Sequence, residues 1–67
     1  MISKLNTAIT LFRNRKLDDA KKLCYQILEE EPKNFSTLNL LGIILFQKKN
    51  FEEAIRVVKN SIKINSK

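Results

Sequence analysis

Side chains that commonly carry enzyme chemistry are scarce in this chain of 67 residues. It has no histidine, which excludes an imidazole base and any catalytic triad built on one. Its carboxylates are Asp18, Asp19, Glu29, Glu30, Glu31, Glu52 and Glu53. They fall where helix ends are expected, and solvated surface charge is their predicted role. The sequence therefore predicts no catalytic residue, and we expect the protein not to be an enzyme.

Metal and cofactor sites lack the residues that they need. The only glycine, Gly42, excludes a glycine-rich phosphate loop. The single cysteine, Cys24, cannot form an intramolecular disulfide and, without histidine, leaves too few ligands for a structural zinc site. At its core-facing helical position we expect a buried, inert thiol. Tyr25 beside it is expected to pack at the core boundary rather than bind a ligand. We predict no metal and no cofactor.

The elements that would position any site are predicted to be helices. Apolar residues recur at spacings of three and four along the whole chain, which indicates helices near 2–14, 18–31, 35–48 and 52–65. Pro32 ends the second helix, because the residue before a proline is disfavoured in helical conformation. The connections are so short that consecutive helices are expected to form antiparallel hairpins.

The chain also contains a weak internal repeat. Shifting the sequence by 34 residues places small residues opposite small ones and an acidic pair opposite an acidic pair. The aligned pairs are Ala8 with Gly42, Ile9 with Ile43, Leu11 with Leu45, Phe12 with Phe46, Leu17 with Phe51, Asp18-Asp19 with Glu52-Glu53, Ala20 with Ala54 and Leu28 with Ile62. Two copies of a helix hairpin therefore fill the chain.

This pattern resembles the tetratricopeptide repeat (TPR) family, whose period is 34 residues. The second copy carries the family's pattern at Leu38, Leu41, Gly42, Leu45, Phe51, Ala54, Val58 and Ile62, and the first carries it at Ala8, Leu11, Leu17, Ala20, Ile27, Leu28 and Pro32. The departures are Lys4, Thr7, Glu30 and Ser66. The resemblance implies an all-α fold in which two antiparallel helix hairpins stack as a short right-handed solenoid. It implies one domain, with repeats over 1–34 and 35–67, that serves protein–protein interaction.

Small residues in both copies predict close helix packing. Gly42 and Ala54 would let the third and fourth helices approach closely, and Ala8 and Ala20 would do the same in the first hairpin. A larger side chain at such a site would force the helices apart at a cost of roughly 1–3 kcal/mol.

The third helix is apolar on nearly every side, which predicts a binding surface in addition to a core. The resemblance implies that one of its faces lines a concave groove that holds a partner segment. We predict that the groove is formed by Leu5, Asn6, Ile9, Phe12, Arg13, Asn39, Leu40, Ile43, Phe46 and Gln47. TPR proteins that clamp the C-terminal carboxylate of chaperones carry lysine and asparagine where this chain has Leu5, Ile9 and Leu40, so that function is disfavoured.

A second surface is predicted on the fourth helix. Phe51, Ile55, Val58 and Ile62 occupy the face on which a third repeat or a cap would dock. We expect either that the chain is a fragment of a longer array or that another molecule covers this face. Self-association into a homodimer or larger homo-oligomer is the simplest cover.

The basic residues suggest an alternative function. Lysine and arginine outnumber the acidic residues by 13 to 7, which gives a net charge of +6. They cluster at the predicted hairpin turns and along the last helix; these residues are Arg13, Arg15, Lys16, Lys48, Lys49, Lys59, Lys63 and Lys67. Such an edge could attract nucleic acid or an acidic surface. Without interleaved aromatic residues, solvated charge is the preferred interpretation, and nucleic acid is not an expected partner.

Location is predicted from hydropathy. The first residues lack the apolar core of a signal peptide. The longest apolar stretch, 38–46, is interrupted by Asn39 and Gly42 and is too short to span a bilayer. We expect a cytoplasmic protein without a membrane partner.

Overall fold

The computed structural model describes residues 3–65. They form four helices, which are α1 (Lys4–Arg13), α2 (Leu17–Glu30), α3 (Phe35–Gln47) and α4 (Phe51–Asn65), and the described residues contain no strand. The all-α prediction is confirmed, with helix ends that differ from the predicted ones by at most two residues. Two residues named in the sequence analysis lie outside the described residues. They are Ser66, which departs from the family's pattern, and Lys67, one of the clustered basic residues. No helix in the described range combines the length and the apolar character that crossing a membrane requires.

Side-chain caps define where α1 and α3 begin. The Ser3 hydroxyl accepts a hydrogen bond from the Asn6 backbone N–H at 3.1 Å. The Asn34 side-chain oxygen accepts one from the Thr37 backbone N–H at 3.0 Å. Each cap satisfies one of the free N–H groups of a first helical turn. Asp18 in the first turn of α2 carries negative charge toward the positive end of that helix dipole.

The turns that close the two hairpins have the same geometry. Arg15 and Lys49, which are 34 positions apart, adopt left-handed φ values of 61° and 64°. The residues after them, Lys16 and Asn50, donate backbone hydrogen bonds of 2.8 Å to Leu11 and Leu45. Arg15 and Lys49 themselves donate 3.0 Å bonds to the carbonyls three positions earlier. This is the Schellman motif, in which a left-handed residue ends a helix and satisfies its last carbonyls. The same turn geometry therefore recurs at the 34-residue interval of the repeat predicted from the sequence.

The core is centred on α3. This helix packs against α4 and α2 and makes a smaller contact with α1, whereas the backbone of α4 packs closely only against α3 among the described helices. Leu41, Ile44 and Leu45 of α3 are fully buried. They are completed by small residues from the other helices, among them Ala8, Ala20 and Ala54. The fold is thus layered, with α3 between the first hairpin and α4.

Gly42 confirms the predicted close approach of α3 and α4. A Cβ atom at this position would lie 3.1 Å from Cγ2 of Val58. That separation is shorter than an ordinary carbon–carbon contact of about 3.5–4.0 Å. The missing side chain of Gly42 therefore sets the spacing between these two helices.

Two polar pairs connect the hairpins. Lys48 Nζ, just after α3, pairs with the Asp18 carboxylate at the start of α2, and this lysine lowers the pKa of Asp18. The Tyr25 hydroxyl on α2 donates a hydrogen bond to the Glu53 carboxylate on α4. Burial, followed by this carboxylate, raises the pKa of Tyr25 to about 12. Both pairs lie on the exposed surface, where they link α2 to the second hairpin.

Candidate partner-binding surface

The α3–α4 hairpin exposes a row of large apolar side chains. We call this row the α3–α4 apolar surface; its residues are Ile43, Phe46, Phe51, Ile55, Val58 and Ile62. Phe46 is 64% exposed, Ile62 61% and Ile55 55%, although each is large and apolar. A contiguous apolar patch on a soluble domain commonly marks an interface.

A groove of about 400 Å³ runs between the two helices within this surface. We call it the α3–α4 groove; it is lined by Asn39, Gly42, Ile43, Phe46, Ala54, Ile55, Val58 and Lys59. Gly42 and Ala54 are buried and have little or no side chain, so they leave the depression between the larger residues. These small residues allow α3 and α4 to approach closely, and they form the floor of the groove between the two helices.

The structure joins two surfaces that the sequence predicts as separate. Ile43 and Phe46 belong to the predicted partner groove, and Ile55 and Val58 to the predicted self-association face, yet all four line the same groove. The Phe46 and Phe51 rings meet edge to face with centroids 5.3 Å apart. One continuous apolar surface therefore contains residues of both predicted sites.

The predicted groove residues of α1 have a different environment. Leu5, Ile9 and Phe12 are half-buried and pack against the core, while Asn6 and Arg13 are exposed. None of these side chains lines the α3–α4 groove.

Leu40 was predicted to line the partner groove, but the structure places it in the core. It is only 9% exposed and belongs to the core, because α3 is packed by α1 as well as by α2 and α4. It therefore contributes no exposed side chain to a partner surface. Gln47, the last residue of α3, is exposed but does not line the groove.

One partly buried hydrogen bond holds Asn39, a polar residue that lines the groove. Ser61 on α4 is 2% exposed, and its hydroxyl donates to the Asn39 side-chain oxygen at 3.3 Å. Within the described residues the Asn39 amide nitrogen has no acceptor, which leaves it available to a ligand in the groove. Sequence reasoning placed Asn39 at the groove but missed Ser61, whose only signal was its position on α4.

The charges around the groove are arranged unevenly. Neither α1 nor α3 contains an acidic residue. On α4, Lys59 lines the groove, whereas Glu52 and Glu53 line a separate depression on the side of Tyr25. Among residues 3–65, the only ionisable side chain that lines the groove is therefore a cation.

Cys24 lies apart from this surface. It is fully buried, as predicted, and burial raises the pKa of its thiol to about 11. A thiol that remains protonated at neutral pH is a poor nucleophile and a poor metal ligand. Among residues 3–65, no group of three or more cysteine, histidine or acidic residues is arranged to hold a metal ion.

Comparison with known proteins gives two matches. A family model described as tetratricopeptide repeat matches residues 11–66. The UDP-N-acetylglucosamine--peptide N-acetylglucosaminyltransferase of Caenorhabditis elegans is 34% identical over 55 residues. That alignment covers 82% of this chain but only 5% of the transferase, so the chain spans a small fraction of this relative. No solved structure matches the chain.

Proposed function

The chain belongs to the tetratricopeptide repeat family, and from that premise we propose that it holds a segment of a partner protein against the α3–α4 apolar surface. TPR units generally mediate protein–protein interaction and are themselves non-catalytic. The observation that carries the proposal is the groove between α3 and α4, whose lining is apolar except at Asn39 and Lys59. The transferase activity of the relative is not assigned to this chain, because the match covers 5% of that enzyme.

Burial of the exposed side chains supplies the driving force. Apolar area removed from water contributes roughly 25 cal/mol per Å². The net affinity is smaller, because association costs translational freedom and orders side chains at the interface. Phe46 and Ile55, on opposite sides of the groove and both more than half exposed, are the expected anchors. Asn39, with Asn6, Arg13 and Gln47 farther out, is proposed to orient the partner.

Self-association is a second candidate for the same surface. It is supported by the row of exposed apolar residues along α4, which are Phe51, Ile55, Val58 and Ile62. Because Ile55 and Val58 also line the groove, a second copy that covered this row would cover one side of the groove. A homodimer and a partner complex would therefore compete for the surface.

The alternative of anion binding at the basic turns has less support. Lys48 is already paired with Asp18, and this reduces the charge available at that edge. A salt titration separates the two functions, since binding through phosphate contacts weakens steeply with ionic strength whereas apolar capture does not. A cytoplasmic location stays a prediction.

Site-specific photo-crosslinking tests the proposed function. The crosslinking residue p-benzoylphenylalanine replaces Phe46 in one variant and Ile55 in another, and a control carries it at Glu29, an exposed position on α2. We expect the same partner to be crosslinked from positions 46 and 55 but not from 29. An adduct of twice the chain mass would identify a second copy as the occupant. Equal crosslinking from all three positions would contradict a specific surface.

A double substitution then tests the surface with the partner so identified. Phe46→Ala with Ile43→Ala should abolish binding of the purified partner and leave the circular dichroism spectrum unchanged, because both side chains are largely exposed. Loss of helicity in this variant would show instead that the two residues belong to the core.

A further inference from the structure

We propose that the chain binds a second ligand, an extended peptide segment with mainly acidic side chains, in a polar groove between α2 and α4. This groove shares no lining residue with the α3–α4 groove. The inference therefore goes beyond the proposed function. It rests on the hydrogen-bonding groups, the spacing and the charges of a different set of residues.

The polar groove exists because α2 and α4 are separated. Their backbones each pack against α3 but not closely against each other, and the hydrogen bond from Tyr25 to Glu53 crosses the gap. Two depressions of about 670 and 490 Å³ lie along α4 on this side, within the usual volume range of ligand pockets. Asn60 lines both of them, so they form one groove, which we call the α2–α4 groove.

The hydrogen-bonding groups of the α2–α4 groove suit an extended backbone. Within residues 3–65 the exposed side chains of Arg56 and Asn60 make no hydrogen bond and no ion pair. A side-chain amide both donates and accepts, as a peptide group does. An extended segment has N–H and C=O groups that need such partners, whereas a helix satisfies its own. The groove therefore favours an extended occupant.

The spacing of the groove residues matches that of an extended chain. Glu52, Arg56 and Asn60 are four residues apart on α4, which places them about 6 Å from one another along the helix axis. Every second side chain of an extended segment points to the same side, at intervals of about 6.6 Å. A segment of about five residues therefore places three side chains opposite these three positions.

The charges along the α2–α4 groove determine the side chains of the occupant. The charged residues that line it are Lys33, Lys49, Glu52, Glu53, Arg56 and Lys63. Both acidic residues lie in the first turn of α4, and the rest of the groove is lined by cations alone; the acidic residues that end α2 line neither depression. Complementary charge therefore requires acidic side chains opposite Arg56 and beyond it, and a basic one opposite Glu52. A nucleic acid is disfavoured, because its evenly spaced phosphates would also lie against Glu52 and Glu53.

Nuclear magnetic resonance titration of the intact, ¹⁵N-labelled chain tests this inference. The first probe is a five-residue peptide, acetylated and amidated at its ends, with lysine at one end, glutamate at the centre and at the other end, and glycine between them; it is made in both chain directions. The second probe exchanges lysine and glutamate. We expect the first peptide, in one of its two directions, to shift the Asn60 side-chain amide signals and leave the backbone amides of Ile43 and Phe46 unchanged. The second should bind about tenfold or more weakly at low salt.

Variants of the chain assign the binding to the α2–α4 groove. Arg56→Glu should weaken binding of the first peptide about tenfold, because it places an anion opposite the central glutamate. Lys22→Glu makes the same charge change at an exposed position of α2 that lines neither depression, and it should change the affinity less than about twofold. Asn60→Ala removes the amide that is proposed to bond the peptide backbone, so it should weaken binding of both peptides. All three positions are exposed, and circular dichroism checks that the helices are retained.

The other outcomes would each overturn the inference in a recognisable way. Equal affinities for the two peptides would contradict the charge match, and shifts at Ile43 and Phe46 instead of Asn60 would place the peptide on the α3–α4 apolar surface. Tighter binding of a short single-stranded oligouridine at Asn60 would assign the groove to a phosphate backbone. The absence of any shift at millimolar peptide would show that the groove is not a peptide site. None of these results bears on crosslinking from positions 46 and 55, which tests the proposed function on residues outside the α2–α4 groove.

Discussion

The two helix hairpins share a backbone design but differ in how much of their apolar surface is covered. Ala20 and Ala54 occupy equivalent positions, 34 residues apart, and both are buried. One turn farther along, Cys24 of α2 is 0% exposed, whereas its counterpart on α4, Val58, is 42% exposed. The same apolar spacing therefore produces core in one hairpin and accessible surface in the other.

The difference follows from what packs on each second helix. Helix α2 is covered by α1 on one side and by α3 on the other. Helix α4 is covered by α3 alone among the described helices. An apolar stripe becomes core only when a second element lies over it, and none of the described helices lies over the stripe on α4.

The largest expected effect compares two isoleucines in the second hairpin. Ile44→Ala removes a fully buried side chain and should lower the free energy of unfolding by about 2–5 kcal/mol. Because a chain of this size rarely has more than about 3–5 kcal/mol in reserve, the variant should be largely unfolded. Urea denaturation followed by circular dichroism measures this effect.

Ile55→Ala is the matched control, since it deletes the same atoms from a side chain that is 55% exposed. It should change stability by less than about 0.5 kcal/mol. Similar losses in the two variants would mean that the α3–α4 apolar surface is part of the core, and the contrast between the hairpins would be lost.

The next effect is a loss of stability at high pH, caused by the buried thiol of Cys24. The pKa of Cys24 is about 11 in the folded chain, against an ordinary value of 9.0. Since the folded state holds its proton more tightly, this contribution to stability is complete below pH 9 and is lost as pH rises toward 11. The loss should reach about 2–3 kcal/mol, from 1.36 kcal/mol per pKa unit. Unfolding measured between pH 8 and about 11 tests the sign, and Cys24→Ala should make the curve shallower. Above pH 10 Tyr25, whose pKa is also raised, contributes a loss in the same direction in both chains.

A second thiol sharpens that comparison. In a Cys24→Ala background, Val58→Cys places the thiol at the exposed equivalent position on α4. Its reaction with a disulfide reagent at neutral pH should be more than about tenfold faster than that of Cys24 in the native chain. Both thiols should react at the same rate in urea. Equal rates in native buffer would show that α2 and α4 are equally covered.

A smaller effect tests the close packing that the hairpins share. Gly42→Leu forces a side chain toward Val58 and should lower stability by about 1–3 kcal/mol. Ala8→Leu, at the equivalent and fully buried position of α1, should have a similar cost. Thermal unfolding of both variants is the measurement. If only one variant is destabilised, the two hairpins do not pack by the same rule.

The smallest effect is a gain in stability at the two turns. Lys49→Gly and Arg15→Gly should each stabilise the chain by about 0.5–1 kcal/mol, because glycine adopts the left-handed conformation without the strain of a Cβ atom. Asn14→Gly, where φ is −86°, is the control and should give no gain. Unequal gains at positions 15 and 49 would show that the turns differ despite their matching hydrogen bonds.

Much of the fold was predictable from the sequence, but the candidate surface was predictable only in part. Pro32 marked the end of α2, and the lack of a side chain at Gly42 marked the close contact of α3 with α4. The left-handed turns carried no glycine to reveal them. Their only signal was the repeat itself. The buried position of Leu40 was missed because periodicity on one helix does not show how many neighbours cover it.

The sequence by itself determined the helices, the repeat, the family and the residues that are small enough for helices to meet. These properties are local, since they depend on the apolar spacing, capping residues and turns of neighbouring positions. Only the tertiary structure decided that Ile43 and Phe46 share one groove with Ile55 and Val58. It also decided that a cation, not an anion, lines that groove at Lys59. Both properties depend on the angle and distance between two packed helices, which no single helix encodes.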